Sequence, residues 1–149
     1  MKLGLDLVTG LERYTTSWKS DDDPSTGSFT DRLDPNGFPA LQFFLSKGSV
    51  KWSRTGPWNG LRFSGSSKTI PNGMHREDFV LNDREIYYKF DTVKSNADIR
   101  FTLTPTEEKR ILVWNYDNQI WMITFTQNVN SCDLMDFVVL MAFVTLTAH

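Results

Sequence analysis

Turn signals recur so closely along this chain that a long helix has little room to form. They run through Asp21-Asp22-Asp23-Pro24-Ser25-Thr26-Gly27, Asp34-Pro35-Asn36-Gly37, Ser46-Lys47-Gly48, Gly56-Pro57-Trp58-Asn59-Gly60, Pro71-Asn72-Gly73 and Tyr116-Asp117-Asn118. Each combines residues that pre-set or tolerate turn dihedrals, so each marks a reversal of the chain. Short runs rich in aromatic and β-branched residues lie between them. Strands are expected over residues 13–19, 28–33, 41–45, 49–54, 85–91, 99–104, 110–115 and 119–126. Phe101 and Leu103 alternate onto one face, and Trp121, Ile123 and Phe125 onto one face of the last strand, as a half-buried antiparallel sheet requires. No segment before residue 134 sustains a 3.6-residue apolar period. The expected class is therefore all-β and antiparallel, as a sandwich, a prism or a barrel.

Composition narrows the function more than the fold. With 40% hydrophobic and 23% charged residues, the 149-residue chain can build a core, and its length suits one domain or one domain with part of a neighbour. Sixteen Lys and Arg against eighteen Asp and Glu leave a net charge of -2 and no basic block to neutralise phosphates, so nucleic acid is not an expected partner. Cys132 is the single cysteine, which excludes internal disulfides and cysteine zinc sites, and His75 and His149 are too few to replace them. No metal or other cofactor is expected.

Catalytic constellations fail one by one. A nucleophilic triad needs a base, and the one histidine within the β region, His75, follows the Pro71-Asn72-Gly73 turn, where it reads as a surface-loop residue. Glu107-Glu108 are neighbours that a strand points to opposite faces, and Asp21-Asp22-Asp23 sit in a turn where carboxylates cap or face water. A calcium loop starting at Asp21 places Thr26 where glycine is required, and one starting at Asp22 places Pro24 at a ligand position. Bulky Trp58 and Phe63 separate Gly56, Gly60 and Gly65, so no phosphate cradle forms. No catalytic residue is assigned. Trp18, Trp52, Trp58, Trp114 and Trp121 are expected mainly in the core, with Trp58 held as a plug in a rigid turn.

Several blocks carry a resemblance. Leu3-Gly4-Leu5-Asp6, Thr9-Gly10-Leu11, Thr16-Ser17-Trp18-Lys19-Ser20, Asp22-Asp23-Pro24-Ser25 and Gly27-Ser28-Phe29 come in order, followed by Asp34-Pro35-Asn36-Gly37-Phe38-Pro39. Arg54-Thr55-Gly56-Pro57-Trp58-Asn59-Gly60-Leu61-Arg62-Phe63-Ser64-Gly65 is the longest, and Arg100-Phe101-Thr102-Leu103, Trp114-Asn115, Trp121 and Cys132-Asp133 continue the pattern. Together they resemble the S-locus glycoproteins and the ectodomains of the plant S-domain (G-type lectin) receptor-like serine/threonine kinases. The resemblance implies that residues 1–20 are the tail of a bulb-type lectin domain and 21–133 an S-locus glycoprotein domain, a second lectin-like antiparallel β module. The mannose pattern Gln-x-Asp-x-Asn-x-Val-x-Tyr is missing, so direct mannose binding is not expected.

In the family, a variable partner-reading surface follows the Gly-Pro-Trp-Asn-Gly block, which here is residues 66–83. The resemblance thus makes Lys68, Ile70, His75, Arg76 and Asp78 exposed partner-binding candidates, and gives Gly56, Pro57, Trp58, Asn59, Gly60, Arg62 and Phe63 a structural role. It implies a non-catalytic extracellular recognition module whose partner is a protein or peptide, with a glycan and a receptor homo- or heterodimer as further partner classes. The associated roles are pollen recognition in self-incompatibility, or defence signalling. The kinase and membrane-spanning parts are expected outside the chain, and Met1 to Arg13 does not read as a secretory leader.

The last residues break the pattern. Residues 137–144 are uniformly apolar but shorter than the roughly 20 residues of a membrane span. Permissible codons for 135–144 read Tyr-Gly-Phe-Cys-Gly-Ala-Tyr-Gly-Val-Cys in the neighbouring frame, the cysteine-rich continuation the resemblance implies. Residues 134–149 are accordingly expected to be a frameshifted tail foreign to the fold, which brings two rival readings: a degraded gene fragment without autonomous function, and a soluble decoy pairing with full-length receptors. Exposed sheet edges are expected to make the isolated chain poorly soluble.

Overall fold

A computed structural model describes residues 1–37, 41–65, 75–93 and 98–128. The strands are β1 (Lys2–Asp6), β2 (Glu12–Arg13), β3 (Thr15–Ser20), β4 (Asp23–Asp34), β5 (Gln42–Lys47), β6 (Val50–Arg54), β7 (His75–Leu81), β8 (Glu85–Thr92), β9 (Ile99–Leu103), β10 (Lys109–Asn115) and β11 (Ile120–Gln127). One 3-10 turn, Pro35–Gly37, is the only helical element among the described residues. Every pairing is antiparallel. Sheet I has the order β2-β1-β8-β7, sheet II β3-β4-β5-β6 and sheet III β11-β10-β9. Three sheets with a common interior make this an all-β, lectin-like module of prism type.

The eight expected strands are all present, with altered ends. Tyr14 divides the first into β2 and β3, and β4 begins at Asp23, so the β3–β4 hairpin turns on Asp21 and Asp22 alone. Gly27 permits this close pairing: a Cβ there would lie 2.1 Å from the Trp18 carbonyl oxygen, nearer than any side chain fits. Two further strands were not legible. In β1, Lys2-Leu3-Gly4-Leu5-Asp6 shows no aromatic or β-branched run and is not expected as a strand, yet Leu3 pairs with Tyr88 and is buried in the core. In β7, the charged run His75-Arg76-Glu77-Asp78 hides an alternation whose inner members pack on β8.

The last strand carries a correction. Phe101 and Leu103 share a face, but Phe125 does not lie with Trp121 and Ile123. The β10–β11 register shifts between Ile111 and Leu112, which pair with Phe125 and Ile123 respectively and leave Thr124 as an extra residue. Such a bulge reverses the side-chain alternation beyond it. Phe125 therefore joins Ile111 and Phe101 along the interior, while Trp121 and Ile123 lie on the outer face.

Sheets I and II share one apolar cluster, Leu3, Leu33, Leu41, Phe43, Phe63 and Ile86, and sheets II and III share Phe29, Leu45 and Leu103. Polar ties reinforce the second junction. The Trp52 indole N–H donates to Glu107 Oε2 at 2.7 Å, and this bond holds a glutamate whose φ of 70° is otherwise unfavourable. Lys109 Nζ lies 2.8 Å from Asp31 Oδ1, with side chains only 12% and 4% exposed. A buried charge left without its partner is far costlier than the pair itself. Urea unfolding of Asp31→Asn or Lys109→Met is therefore expected to show a loss of about 3 kcal/mol each, with the double variant losing clearly less than the two singles combined.

Candidate recognition surface

The Gly-Pro-Trp-Asn-Gly block folds into a tight knot joining sheet II to sheet I. Asn59 Oδ1 accepts from the backbone N–H groups of Leu61 and Arg62, both at 3.0 Å, and Asn59 N–H donates to Arg62 O at 3.0 Å. These bonds set Trp58 opposite Phe63 in a β-bridge, with ring centroids 5.1 Å apart. Trp58 N–H donates to Leu41 O at 3.1 Å, and Ser64 N–H to Pro57 O at 2.9 Å. The Trp58 ring then reaches Phe79 of β7 at 5.9 Å and Tyr88 of β8 at 6.3 Å, and Phe63 meets Phe43 edge-on at 5.5 Å. Edge-to-face pairs of this kind add stabilisation beyond the area they bury. The knot thus fixes the inner face of β7.

Alternation along β7 does the rest. His75, Glu77 and Phe79 face inward, so Arg76 and Asp78 must face out, and their side chains are 69% and 53% exposed. Across the pairing, Arg76 stands opposite Asp91 and Asp78 opposite Lys89. Opposite charges placed directly across an antiparallel pair stabilise the sheet surface while both side chains stay solvated. The Lys89 hydrogen bond holds the Asp91 carboxyl below its usual range, and the same bond raises the Lys89 ammonium. Further along the same face, Lys2 Nζ contacts Glu85 Oε1 at 2.6 Å and lies 3.9 Å from the Tyr87 ring centroid.

His75 needs a correction. It is neither in a loop nor exposed: its side chain is 7% exposed, stacked on Phe90 at 4.7 Å, with Nε2 3.4 Å from Glu77 Oε1. Strand register puts it on the inner face, so it cannot belong to a contact surface with Arg76 and Asp78. Lys68 and Ile70 lie outside the described residues.

A cleft of about 70 Å³ opens where the three sheets meet, bordered by Asp31, Arg62, Glu77, Tyr88 and Lys109 among phenylalanines. None of Asp31, Glu77, Tyr88 and Lys109 is marked by a sequence motif; only the fold brings residues from four strands together. Burial, then the neighbouring Glu77 carboxylate, holds the Tyr88 phenol well above its usual range. Among the described residues no three metal-ligating side chains converge, and no helix is long and apolar enough to cross a membrane.

The S-locus glycoprotein domain model matches residues 52–138, more than half of the chain. The chain belongs to the S-locus glycoprotein domain family. It is 38% identical over 134 residues to S-locus-specific glycoprotein S6 of Brassica oleracea, covering 89% of this chain and 30% of that protein. Receptor-like serine/threonine-protein kinase SD1-8 of Arabidopsis thaliana is 35% identical over 133 residues, covering 89% of this chain and 15% of the kinase. S-locus-specific glycoprotein BS29-2 of Brassica oleracea var. alboglabra is 34% identical over 135 residues, covering 90% and 31%. This S-locus glycoprotein domain thus spans less than a third of each of these relatives. The domain is non-catalytic.

Two measurements probe the site's supports. Gly56 has φ 68°, and a Cβ there would lie 2.3 Å from Ser64 Oγ, whereas Gly60, with φ 96°, has open space around it. Gly56→Ala is expected to cost about 2 kcal/mol and Gly60→Ala about 1 kcal/mol in urea unfolding, because only the first adds a clash to the strain. Tyr88 ionises in the unfolded chain near its ordinary 10.0 but resists in the fold, so stability falls as pH rises past that value. Tyr88→Phe is expected to flatten the decline of the melting temperature above that pH.

Proposed function

We propose that this chain is an extracellular recognition module, in which the outer face of β7 and the residues around it read a secreted protein or peptide. The carrying observation is the division of labour in β7: Phe79 is locked to Trp58 inside, while Arg76 and Asp78 stand exposed on the other face of the same strand. A rigid scaffold below and adjustable side chains above is the arrangement from which recognition surfaces are built. Lys68 and Ile70, which lie outside the described residues, are proposed on the family resemblance alone as contacts for the same partner. Residues 1–20 are assigned to the end of a lectin domain and 21–133 to the S-locus glycoprotein domain, although β1 and β8 share a sheet. Relatives named receptor-like kinases support the wider assignment: the module sits outside the cell, ahead of a kinase, and takes part in pollen recognition or defence signalling.

The purified chain is expected to retain a component of a secreted-peptide fraction in a surface-binding assay. The charge-reversed double variant Arg76→Glu, Asp78→Arg should lose about tenfold or more of that affinity, with its melting temperature within about 2 °C of the parent, since both side chains are solvated. Unchanged affinity in that variant, or binding confined to an array of neutral glycans, would overturn the assignment.

A further inference from the structure

Two asparagines among the described residues precede a glycine, in Asn36-Gly37 and Asn59-Gly60, and the fold treats their carboxamides differently. An asparagine side chain is open to attack by the backbone nitrogen of the next residue, and a glycine there, lacking a Cβ, leaves the approach free and the backbone adjustable. Both asparagines are exposed, so exposure does not separate them. At Asn59, Oδ1 accepts from the N–H groups of Leu61 and Arg62, each at 3.0 Å, and nothing stands within 4 Å of a Cβ built on Gly60. Bringing the Gly60 nitrogen onto the side-chain carbon would break both bonds of the knot. Asn36 sits in the 3-10 turn Pro35–Gly37 between β4 and β5. Its backbone N–H donates to Asp34 Oδ1 at 3.0 Å, while its carboxamide has no hydrogen-bond partner among the described residues. Beyond the chain neighbours of Gly37, the Asp34 carboxylate lies closest to where a Cβ on that glycine would stand, with Oδ2 at 3.8 Å.

We propose that Asn36 is a self-modification site, converted to an aspartyl or isoaspartyl link by the backbone of Gly37 while Asn59 is spared. Asp34, directly or through a water, takes the Gly37 N–H proton as a general base. The nitrogen electron pair bonds to Asn36 Cγ, the Cγ–Nδ2 bond breaks, and Nδ2 takes up a proton and leaves as ammonia, closing a five-membered succinimide. Water, the one co-reactant, then adds across either ring C–N bond. Opening on one side gives the aspartyl link and on the other the isoaspartyl link. Either product adds one negative charge to a chain whose net charge is -2, two residues from Asp34, whose Oδ2 already holds Lys51 of β6 at 3.6 Å. The isoaspartyl form also places an extra carbon in the backbone between β4 and β5. The site is independent of the ligand-reading role of β7.

Incubation of the folded 149-residue chain in mildly alkaline buffer, followed by peptide mapping with mass spectrometry, tests this. The peptide holding Asn36 should exchange its amide NH2 for OH and split into aspartyl and isoaspartyl forms several times faster than the peptide holding Asn59. In urea, where the fold no longer distinguishes the two, their rates should converge; this arm needs no variant to fold. Gly37→Ala, at a position without positive φ and with room for a Cβ, should slow conversion at Asn36 and leave Asn59 unchanged. Asn59 converting as fast as Asn36 in the folded chain, a rate difference that persists in urea, or a rate at Asn36 indifferent to Gly37→Ala would overturn the proposal.

Discussion

Three sheets that share one interior must converge on a common line, and the Asp31–Lys109 pair sits on it. The two residues are 78 positions apart in sequence, on β4 and β10, and meet at 2.8 Å beside the cleft. Neither can be buried until the other arrives, so the junction of sheets II and III forms as a unit or not at all. Trp52 and Glu107 repeat that logic nearby, with an indole N–H holding a backbone turn in a conformation the turn does not favour. On the opposite side the Trp58 knot closes sheet II on sheet I through aromatic contacts rather than charge. One junction is therefore specific by electrostatics, the other by ring shape.

That contrast explains what the sequence revealed. Ring-rich, turn-flanked strands such as Gln42–Lys47 and Ile99–Leu103 were legible because alternation and turn chemistry are local properties. The Gly-Pro-Trp-Asn-Gly knot was equally legible, since glycines and an asparagine cap announce a tight turn without any knowledge of what it packs on. Strand β7 was not. Four polar residues in succession resemble a loop, and only pairing to β8 shows that two of them face a hydrophobic wall. His75 was misplaced for the same reason, and the convergence of Asp31, Glu77, Tyr88 and Lys109 on one cleft is a product of topology that no spacing encodes.

Position on β7 also separates packed side chains from solvated ones. Inner residues of this strand are coupled to the core through Phe79 and His75, whereas the outer ones are balanced by charges on β8 and coupled to little else. Substitutions on the outer face can vary the surface potential while the Trp58 contacts hold the backbone still. A strand solvated on one face and packed on the other thus tolerates change on its outer side without disturbing the core.

The extra residue at Thr124 turns β11 into two half-strands of opposite polarity. Upstream of it the aromatic and branched side chains of Trp121 and Ile123 look outward; downstream, Phe125 looks into the interior. Strict alternation through all eight residues, with no bulge, would turn Phe125 to solvent and aim a polar threonine at the cleft, whereas deleting Thr124 would leave Phe125 opposite Ile111 and facing inward. The bulge is thus slack that reconciles an outward Ile123 with an inward Phe125, so the strand can absorb the loss of one residue here but not a one-residue slip of its pairing.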